Sequence, residues 1–282
     1  MKKPVSRWIV LAALMGIASS AHAAWTFTGS GSTVNTTVTA NATANAIADP
    51  KITSITGAVA VNASATAGNT AYAGGAKWTS NALTSFGGAI GMCSDPIAPT
   101  TSCDAPNHAM DNVGKTESVL LSFSKSVVLT GIGLSYSNTD ADISLFRYTK
   151  NASINPTMNT VGASQAEMLT AGWELVGNYA DMKAGLADPY NLVNGGKVGS
   201  SWWLISAYNS SYGGGVTSTN GITGLQQGND YFKLAAVGGT ACTGSGANCG
   251  AQRVPEPDSL ALASLALFGV IFTRRQVRQR KG

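Results

Sequence analysis

Histidine is the scarcest of the residue types with which this chain could do chemistry. Only two occur in 282 residues: His22 in an apolar N-terminal segment that we expect to be removed, and His108 in a polar loop sequence. A metal centre with two or three histidines is then impossible within one chain, and a Ser-His-Asp triad would have to use His108. No serine lies in a Gly-x-Ser-x-Gly elbow. We therefore expect a protein that is not an enzyme and needs no cofactor, with His108 in a surface loop.

Acidic residues suggest two further kinds of chemistry. Asn138, Asp140 and Asp142 form an N-x-D-x-D pattern whose oxygens suit Ca²⁺, although the same pattern in a turn also serves for local hydrogen bonding. Glu167 and Glu174 could act as acid and base on a glycoside, as some pair among scattered acids always can. We expect no metal site, with Asn138, Asp140 and Asp142 as a weak candidate for calcium. A secreted glycoside hydrolase is the least favoured function.

Four aromatic residues are candidates for contact with a glycan, because aromatic rings stack on sugars. They are Trp173, Trp202, Trp203 and Tyr208. Neighbouring residues of a strand point to opposite faces, so Trp202 and Trp203 cannot both line one groove, and at least one should belong to the core. A carbohydrate-binding jelly-roll module is therefore the alternative function, weighed against a core role for all four rings.

The four cysteines occur as two local pairs around loops rich in Pro, Gly, Ser, Thr and Asn. Four cysteines allow three connectivities, and we favour Cys93–Cys103 together with Cys242–Cys249. The alternative is zinc, but zinc ribbons prefer two residues between ligands, whereas here nine and six residues intervene. Disulfides persist in oxidising compartments, which agrees with export from the cytoplasm.

Strand-length runs of β-branched and aromatic residues, separated by turn residues, are the main structural signal. We predict strands at 118–123, 127–136, 142–148, 173–178, 201–208 and 231–237, weaker edge strands at 33–39 and 52–61, turns at 124–126 and 137–141, and one short helix at 165–172. Low-complexity disorder is the alternative for the nearly charge-free residues 25–75. The spacing predicts an all-β fold, a single antiparallel β-sandwich of jelly-roll type, rather than βαβ units.

The charge distribution argues against nucleic acid as a partner. Between residues 24 and 273 the chain has ten basic and fourteen acidic residues, and they are evenly mixed. A nucleic-acid-binding protein needs basic residues clustered on one face to neutralise phosphates. The formal charge of +4 instead reflects basic residues concentrated at the two ends.

The first 23 residues have the pattern of a secretory signal peptide. Three basic residues precede an apolar stretch over 8–18, which is too short for a stable membrane span. Ala21 and Ala23 then supply the small side chains that fit the subsites of signal peptidase, which predicts a cut before Ala24. The alternative is an N-terminal membrane anchor.

The last 29 residues also have three parts: a proline-containing motif, an uncharged stretch over 259–273, and a basic end. The motif is Val254, Pro255, Glu256 and Pro257, and the basic end begins with Arg274 and Arg275. As a helix, the uncharged stretch would reach roughly 22 Å, short of the roughly 30 Å of bilayer hydrocarbon. The arginines would remain cytoplasmic and leave the bulk of the chain outside. The alternative is an ordinary single-pass anchor.

This tail, combined with a signal peptide, resembles the PEP-CTERM sorting signal of Gram-negative bacteria. The resemblance implies recognition by exosortase, a membrane-embedded cysteine protease or transpeptidase that removes the tail at or near the Pro-Glu-Pro motif. A looser resemblance to a family of exosortase-dependent surface proteins covers about half of the mature chain, through the segments 117–123, 140–146, 172–179, 201–208 and 230–234. It implies export and surface display and brings no catalytic residues.

The sequence thus predicts a signal peptide over 1–23, an exported β domain over 24–253 and a sorting tail with a short transmembrane helix over 254–282. We expect a surface or extracellular-matrix protein with a structural or interaction role. Its expected partners are signal peptidase, exosortase and, transiently, the inner membrane, with exopolysaccharide as a further candidate. Its expected destination is the cell surface or extracellular matrix of a Gram-negative-type bacterium.

Overall fold

The computed structural model describes residues 23–28, 39–42, 50–61, 75–86, 88–94, 106, 108–150, 156, 158–185, 191–217 and 224–242. These ranges contain thirteen strands, one α-helix and two 3-10 helices. The strands are β1 (Ala23–Thr28), β2 (Thr39–Ala42), β3 (Ile52–Val61), β4 (Thr79–Asn81), β5 (Leu83–Phe86), β6 (Ala89–Met92), β7 (Met110–Asp111), β8 (Lys115–Thr139), β9 (Ile143–Tyr148), β10 (Trp173–Tyr179), β11 (Asn191–Leu192), β12 (Ser200–Ala207) and β13 (Asp230–Ala241). The helix is α1 (Gln165–Ala171), and the 3-10 helices span Met158–Thr160 and Ser210–Tyr212. The described chain is mostly β, which confirms the predicted all-β class.

One long strand, β8, joins the two halves of the sheet. Its first part pairs with β3 on one side and β12 on the other. Its second part pairs with β13 and with the short strand β11. The strand order β10-β9-β12-β8-β13-β1-β2 therefore runs through β8 as one antiparallel network. Because the strands form one connected network, the two-sheet sandwich of jelly-roll type stays a prediction.

The long strand corrects one predicted turn. Residues 124–126, a polar Ser-Lys-Ser sequence, lie inside β8 rather than between two strands. Ser124 and Lys125 are exposed there, at the point where β8 changes partners. The chain stays extended because Lys51 makes two hydrogen bonds to Ser124. The Lys51 N–H donates to Ser124 Oγ at 2.8 Å, and the Lys51 carbonyl oxygen accepts from the Ser124 N–H at 2.8 Å. The polar sequence marks an outward-facing bend and not a chain reversal.

The sheet buries apolar side chains on both of its faces, so two clusters form. The first includes Trp25, Phe123 and Trp203, and the second includes Trp78, Phe146 and Trp173. All six residues of β9 and all eight of β12 are buried, because both faces of these strands are covered. Helix α1 covers the second cluster, where Met168 is completely buried.

Helix α1 begins and ends with the signals that the sequence supplies. Ser164 is the N-cap, and together with Glu167 it forms a capping box in which each side chain bonds the other's backbone N–H. Gly172 ends the helix at φ 105°, a left-handed conformation that favours glycine. The predicted helix over 165–172 is confirmed to within one residue, as are the strands β9, β10 and β12.

Strand β3 confirms the predicted strand over 52–61 but not its placement at an edge. It pairs with β8 over most of its length and with β4 on its other side. The strand predicted at 33–39 lies outside the described residues except for Thr39 in β2. The predicted turn over 137–141 is correct only in its second half, because β8 continues to Thr139.

An acidic cluster and the two chain ends

A cluster of buried carboxylates is the chemically most distinctive feature of the described residues. Asp140 and Asp142 lie between β8 and β9, and Asp181 follows β10. One carboxylate oxygen of each lies within 4.8 Å of those of the other two. Asp140 and Asp142 are buried, and Asp181 is half-buried. A fourth acid, Asp230 at the start of β13, is completely buried.

Backbone N–H groups hold these carboxylates in place. Asp142 accepts hydrogen bonds from the N–H of Asp181 at 2.8 Å and of Gln226 at 2.6 Å. Asp140 accepts from the N–H of Ala141 at 2.8 Å. The single side chain of Asp142 therefore ties the loop after β10 to the segment that leads into β13.

Asp230 links the cluster to the loop before β8. Its carboxylate accepts from the N–H of Asp142 at 2.7 Å and from the side-chain amide of Asn112. Asn112 in turn accepts from the N–H of Asp230 at 3.2 Å and donates to the carbonyl oxygen of Tyr208 at 2.8 Å. Asn112 is completely buried, so it serves as an internal cross-link between three segments.

Burial and mutual repulsion raise the pKa values of Asp140, Asp142 and Asp230. The pKa of Asp140 rises from 3.8 to about 7, chiefly through burial and next through the nearby charge of Asp142. Burial likewise raises the pKa of Asp142, and it raises that of Asp230 well above the usual value, with Asp142 adding to it. Carboxyl groups buried together in this way favour their protonated forms unless a cation compensates the charge.

The structure changes the membership of the predicted calcium set. Asn138 is exposed, and the hydrogen bond that it makes to Asp140 uses its backbone carbonyl oxygen. The third ligand position falls instead to Asp181. Sequence reasoning missed Asp181 and Asp230 because long-range strand pairing, and not local spacing, brings them to Asp142.

The aromatic residues proposed for glycan contact belong to the core. Trp173 and Trp203 are 1% and 0% exposed, and Trp202 and Tyr208 are each 8% exposed. Trp202 packs in the second cluster and Trp203 in the first, so the two rings point to opposite faces, as expected for neighbours in a strand. None of these four rings offers an open face on which a sugar could stack.

Three other predicted candidates have structural partners. His108 is half-buried instead of lying on an open loop; its Nε2 lies 3.1 Å from Lys233 Nζ, and its ring is perpendicular to that of Tyr136. Glu174 forms an ion pair of 2.7 Å with Arg147, and Glu167 belongs to the capping box of α1. The two glutamates weighed for glycoside hydrolysis thus serve local structure.

The described cysteines carry no free thiol. Cys93 and Cys242 are both disulfide-bonded. Cys103 and Cys249 lie outside the described residues, so the pairing Cys93–Cys103 and Cys242–Cys249 stays a prediction.

Strands β1 and β13 bring the two ends of the described chain together. They pair antiparallel, with Ala23 opposite Gly239 and Ala24 opposite Gly238. The start of β1 and the end of β13 therefore lie at the same end of this strand pair. Ala21 and the rest of the predicted signal peptide before Ala23 lie outside the described residues. The whole predicted sorting tail also lies outside the described residues, including Val254, Pro255, Glu256, Pro257, Arg274 and Arg275.

Comparison with known proteins concerns the C-terminal end. Residues 253–276 match the PEP-CTERM protein-sorting motif, so the chain carries this sorting signal behind its β domain. The motif implies an exosortase substrate that is exported and anchored transiently in the membrane before surface release. No curated protein and no solved structure matches the chain. Among the described residues, no helix has the length and apolar character needed to cross a bilayer.

Proposed function

We propose that the mature domain, residues 24–253, is a non-catalytic protein of the cell surface or extracellular matrix with a structural or interaction role. The observation that carries the proposal is the sorting motif over 253–276. In this proposal the chain enters the export pathway through a signal peptide, stops in the inner membrane at its tail, and is released by exosortase.

The arrangement of β1 and β13 supports this path. Strand β1 begins at Ala23, the last residue of the proposed signal peptide, and the end of β13 leads to the tail. Because the start of β1 and the end of β13 lie at the same end of the sheet, a single side of the domain can face the membrane while the tail is attached. The opposite side of the domain then stays free of the bilayer.

The character of the described site residues supports a non-catalytic role. Backbone N–H groups donate hydrogen bonds to carboxylate oxygens of Asp140 and Asp142, and the side-chain amide of Asn112 donates to the carboxylate of Asp230. In these positions the carboxylates fasten loops together. Exopolysaccharide is the candidate partner because the proposed destination is the matrix. The buried aromatic rings, however, give no support to binding by ring stacking on sugars.

The test is intact-mass analysis of the protein from each cell fraction of its own host, with and without the exosortase gene. We expect a mature species that begins at Ala24 and ends close to Val254–Pro257 in the surface or matrix fraction. Without exosortase we expect a larger, membrane-bound species that keeps Arg274 and Arg275. A wild-type surface species that retains the residues after 273 would contradict the proposal.

A further inference from the structure

We propose that one corner of the domain docks on anionic phospholipid headgroups while the sorting tail is anchored in the bilayer. The lysine corner consists of four exposed residues, Lys51, Lys125, Lys150 and Lys197. The inference rests on the proposed function, because an anchored tail is what brings this corner to a membrane. It goes further by naming the surface and the chemical class of its partner.

The exposed charge of the domain differs from the charge of its sequence. Between residues 24 and 273 the fourteen acidic residues outnumber the ten basic ones. Among the described acids, however, only Glu167 is exposed, and five are buried: Asp111, Glu117, Asp140, Asp142 and Asp230. Six described basic residues are exposed: Lys51, Lys77, Lys125, Lys150, Lys183 and Lys197. The described surface is therefore basic, which the sequence count does not reveal.

Two members of the lysine corner meet at the bend of β8. Lys125 lies in the bend itself. Lys51 is held beside it, because its N–H donates to Ser124 Oγ and its carbonyl oxygen accepts from the Ser124 N–H, both at 2.8 Å. Both lysines are exposed, so the outside of the bend carries two positive charges.

Strand pairing brings the other two members to the same place. Ser200, the first residue of β12, lies opposite Val127 of β8, and Lys197 precedes it by three residues. The Ser200 hydroxyl donates to the carbonyl oxygen of Tyr148, the last residue of β9, at 2.7 Å. Lys150 follows β9 by two residues, so all four lysines belong to segments that meet at the bend.

The described acids leave this corner positively charged. Glu174, near the start of β10, lies at the same end of the sheet but forms an ion pair of 2.7 Å with Arg147. Asp140 and Asp142 precede β9, and Asp230 begins β13, whereas the corner lies at the other end of each of these strands. The lysine corner therefore has a net positive charge among the described residues.

The chain leaves the domain toward the sorting tail at the lysine corner. Ala241, the last residue of β13, lies opposite Val127, and the N–H of Cys242 donates to the carbonyl oxygen of Ser126 at 2.8 Å. Residues 243–253 then lead to the motif, and a segment of this length spans at most about 40 Å. A tail held in the bilayer therefore keeps the lysine corner within reach of the headgroups.

Anionic phospholipid is the partner that this position favours. Each lysine near an anionic bilayer strengthens binding about fivefold, provided that it lies within the screening length of about 8 Å. An acidic polysaccharide offers the same kind of charge, but it gives no reason for the lysine corner to coincide with the exit of the tail.

The test is amine labelling of the full-length chain, anchored by its own tail in lipid nanodiscs and followed by mass spectrometry. Nanodiscs of neutral phosphatidylcholine are compared with nanodiscs that also contain anionic phosphatidylglycerol. We expect the four lysines of the corner to react at least about threefold more slowly in the anionic nanodiscs, and the difference to vanish at about 1 M salt.

Two exposed lysines away from the bend are the internal controls, and they should react equally in both kinds of nanodisc. Lys77 adjoins β4, which pairs with β3 away from its first residues. Lys183 adjoins Ala184, which bridges to Leu134 in the second half of β8.

A variant pair separates the lysine corner from charge in general. Lys51→Gln combined with Lys197→Gln removes two charges from the corner, so its two remaining lysines should lose most of their protection in anionic nanodiscs. Lys77→Gln combined with Lys183→Gln removes the same charge elsewhere and should leave that protection unchanged. Equal loss in the two double variants would contradict docking through the corner.

Three results would overturn the inference. An anchored chain whose corner lysines react equally in both kinds of nanodisc would refute the docking alone. Protection of these lysines by a soluble polyuronate, without protection by anionic lipid, would assign the corner to an acidic polysaccharide instead. A chain that stays with neither kind of nanodisc would refute the tail as an anchor, and the docking with it.

Discussion

The acidic cluster makes a specific prediction for stability against pH. Asp140 keeps its proton up to a pKa of about 7 in the folded chain, compared with 3.8 for a free side chain. The folded state therefore binds more protons than the unfolded state between about pH 4 and pH 7. Within this window the free energy of unfolding must fall as the pH rises, by up to about 1.4 kcal/mol for each pH unit.

The magnitude follows from that window. Asp140 alone contributes a loss of up to about 4 kcal/mol over this window, most of it through the burial of its carboxyl group. The raised pKa values of Asp142 and Asp230 act in the same direction. The assay is urea unfolding of the mature domain in the presence of a chelator, followed by tryptophan fluorescence, from about pH 5 to about pH 7.5.

Two variants assign the slope to the cluster. Asp140→Asn keeps an oxygen for the N–H of Ala141 but removes the ionisable group, so it should flatten the profile. Glu167→Gln changes an exposed acid whose pKa is lowered by its bonds to Ser164, and it should leave the slope unchanged. A wild-type domain whose stability stays level or rises over this range would refute the reasoning, as would an equal slope in Asp140→Asn.

Replacing the chelator with millimolar Ca²⁺ tests the calcium expectation for Asp140 and Asp142. A bound cation favours ionised carboxylates, so it would raise the melting temperature above about pH 7 and remove the slope. If Ca²⁺ leaves the dependence of stability on pH unchanged, the cluster binds protons and not calcium.

Three further predictions concern stability alone. Asn112→Ala removes the amide that bonds the buried carboxylate of Asp230, and we expect a loss of about 2–3 kcal/mol in urea unfolding; a loss below about 0.5 kcal/mol would contradict it. Gly239→Ala would bring a Cβ to 2.5 Å from a backbone oxygen of β8, so it should cost more than about 1 kcal/mol, whereas Gly195→Ala meets open space and should be nearly neutral. Ser164→Ala removes the N-cap of α1 and should lower the melting temperature by a few degrees, corresponding to about 1 kcal/mol.

Local sequence patterns predicted those elements whose signals are complete within a few residues. The helix α1 has its cap sequence and its terminal glycine, and β12 is a continuous apolar run, so both were predictable. The hairpin of β5 and β6 was missed, although two glycines at 87 and 88 lie between its strands, and Gly88 takes φ 82° there. That pair of glycines between short apolar runs was a usable signal.

The acidic cluster was not predictable to the same degree. Asp140 and Asp142 drew attention through their spacing, but Asp181 and Asp230 approach them only because β10 pairs with β9, and β13 with β8, in a particular register. The burial of the four aromatic candidates has a similar cause. A tryptophan in a strand has an exposed face only if that face of the sheet is uncovered, and here α1 covers the second face.

The pairing of β8 with β13 has a consequence for how the chain crosses a membrane. Val127 lies opposite Ala241 and Thr139 opposite Asp230, so this pairing joins residues that are about ninety or more positions apart. On the proposed export path the N-terminus crosses first, so the second half of β8 meets its main neighbour only after nearly the entire domain has crossed. Long-range pairing of this kind forms slowly. On this path the sheet closes late, after nearly the whole domain has crossed the membrane.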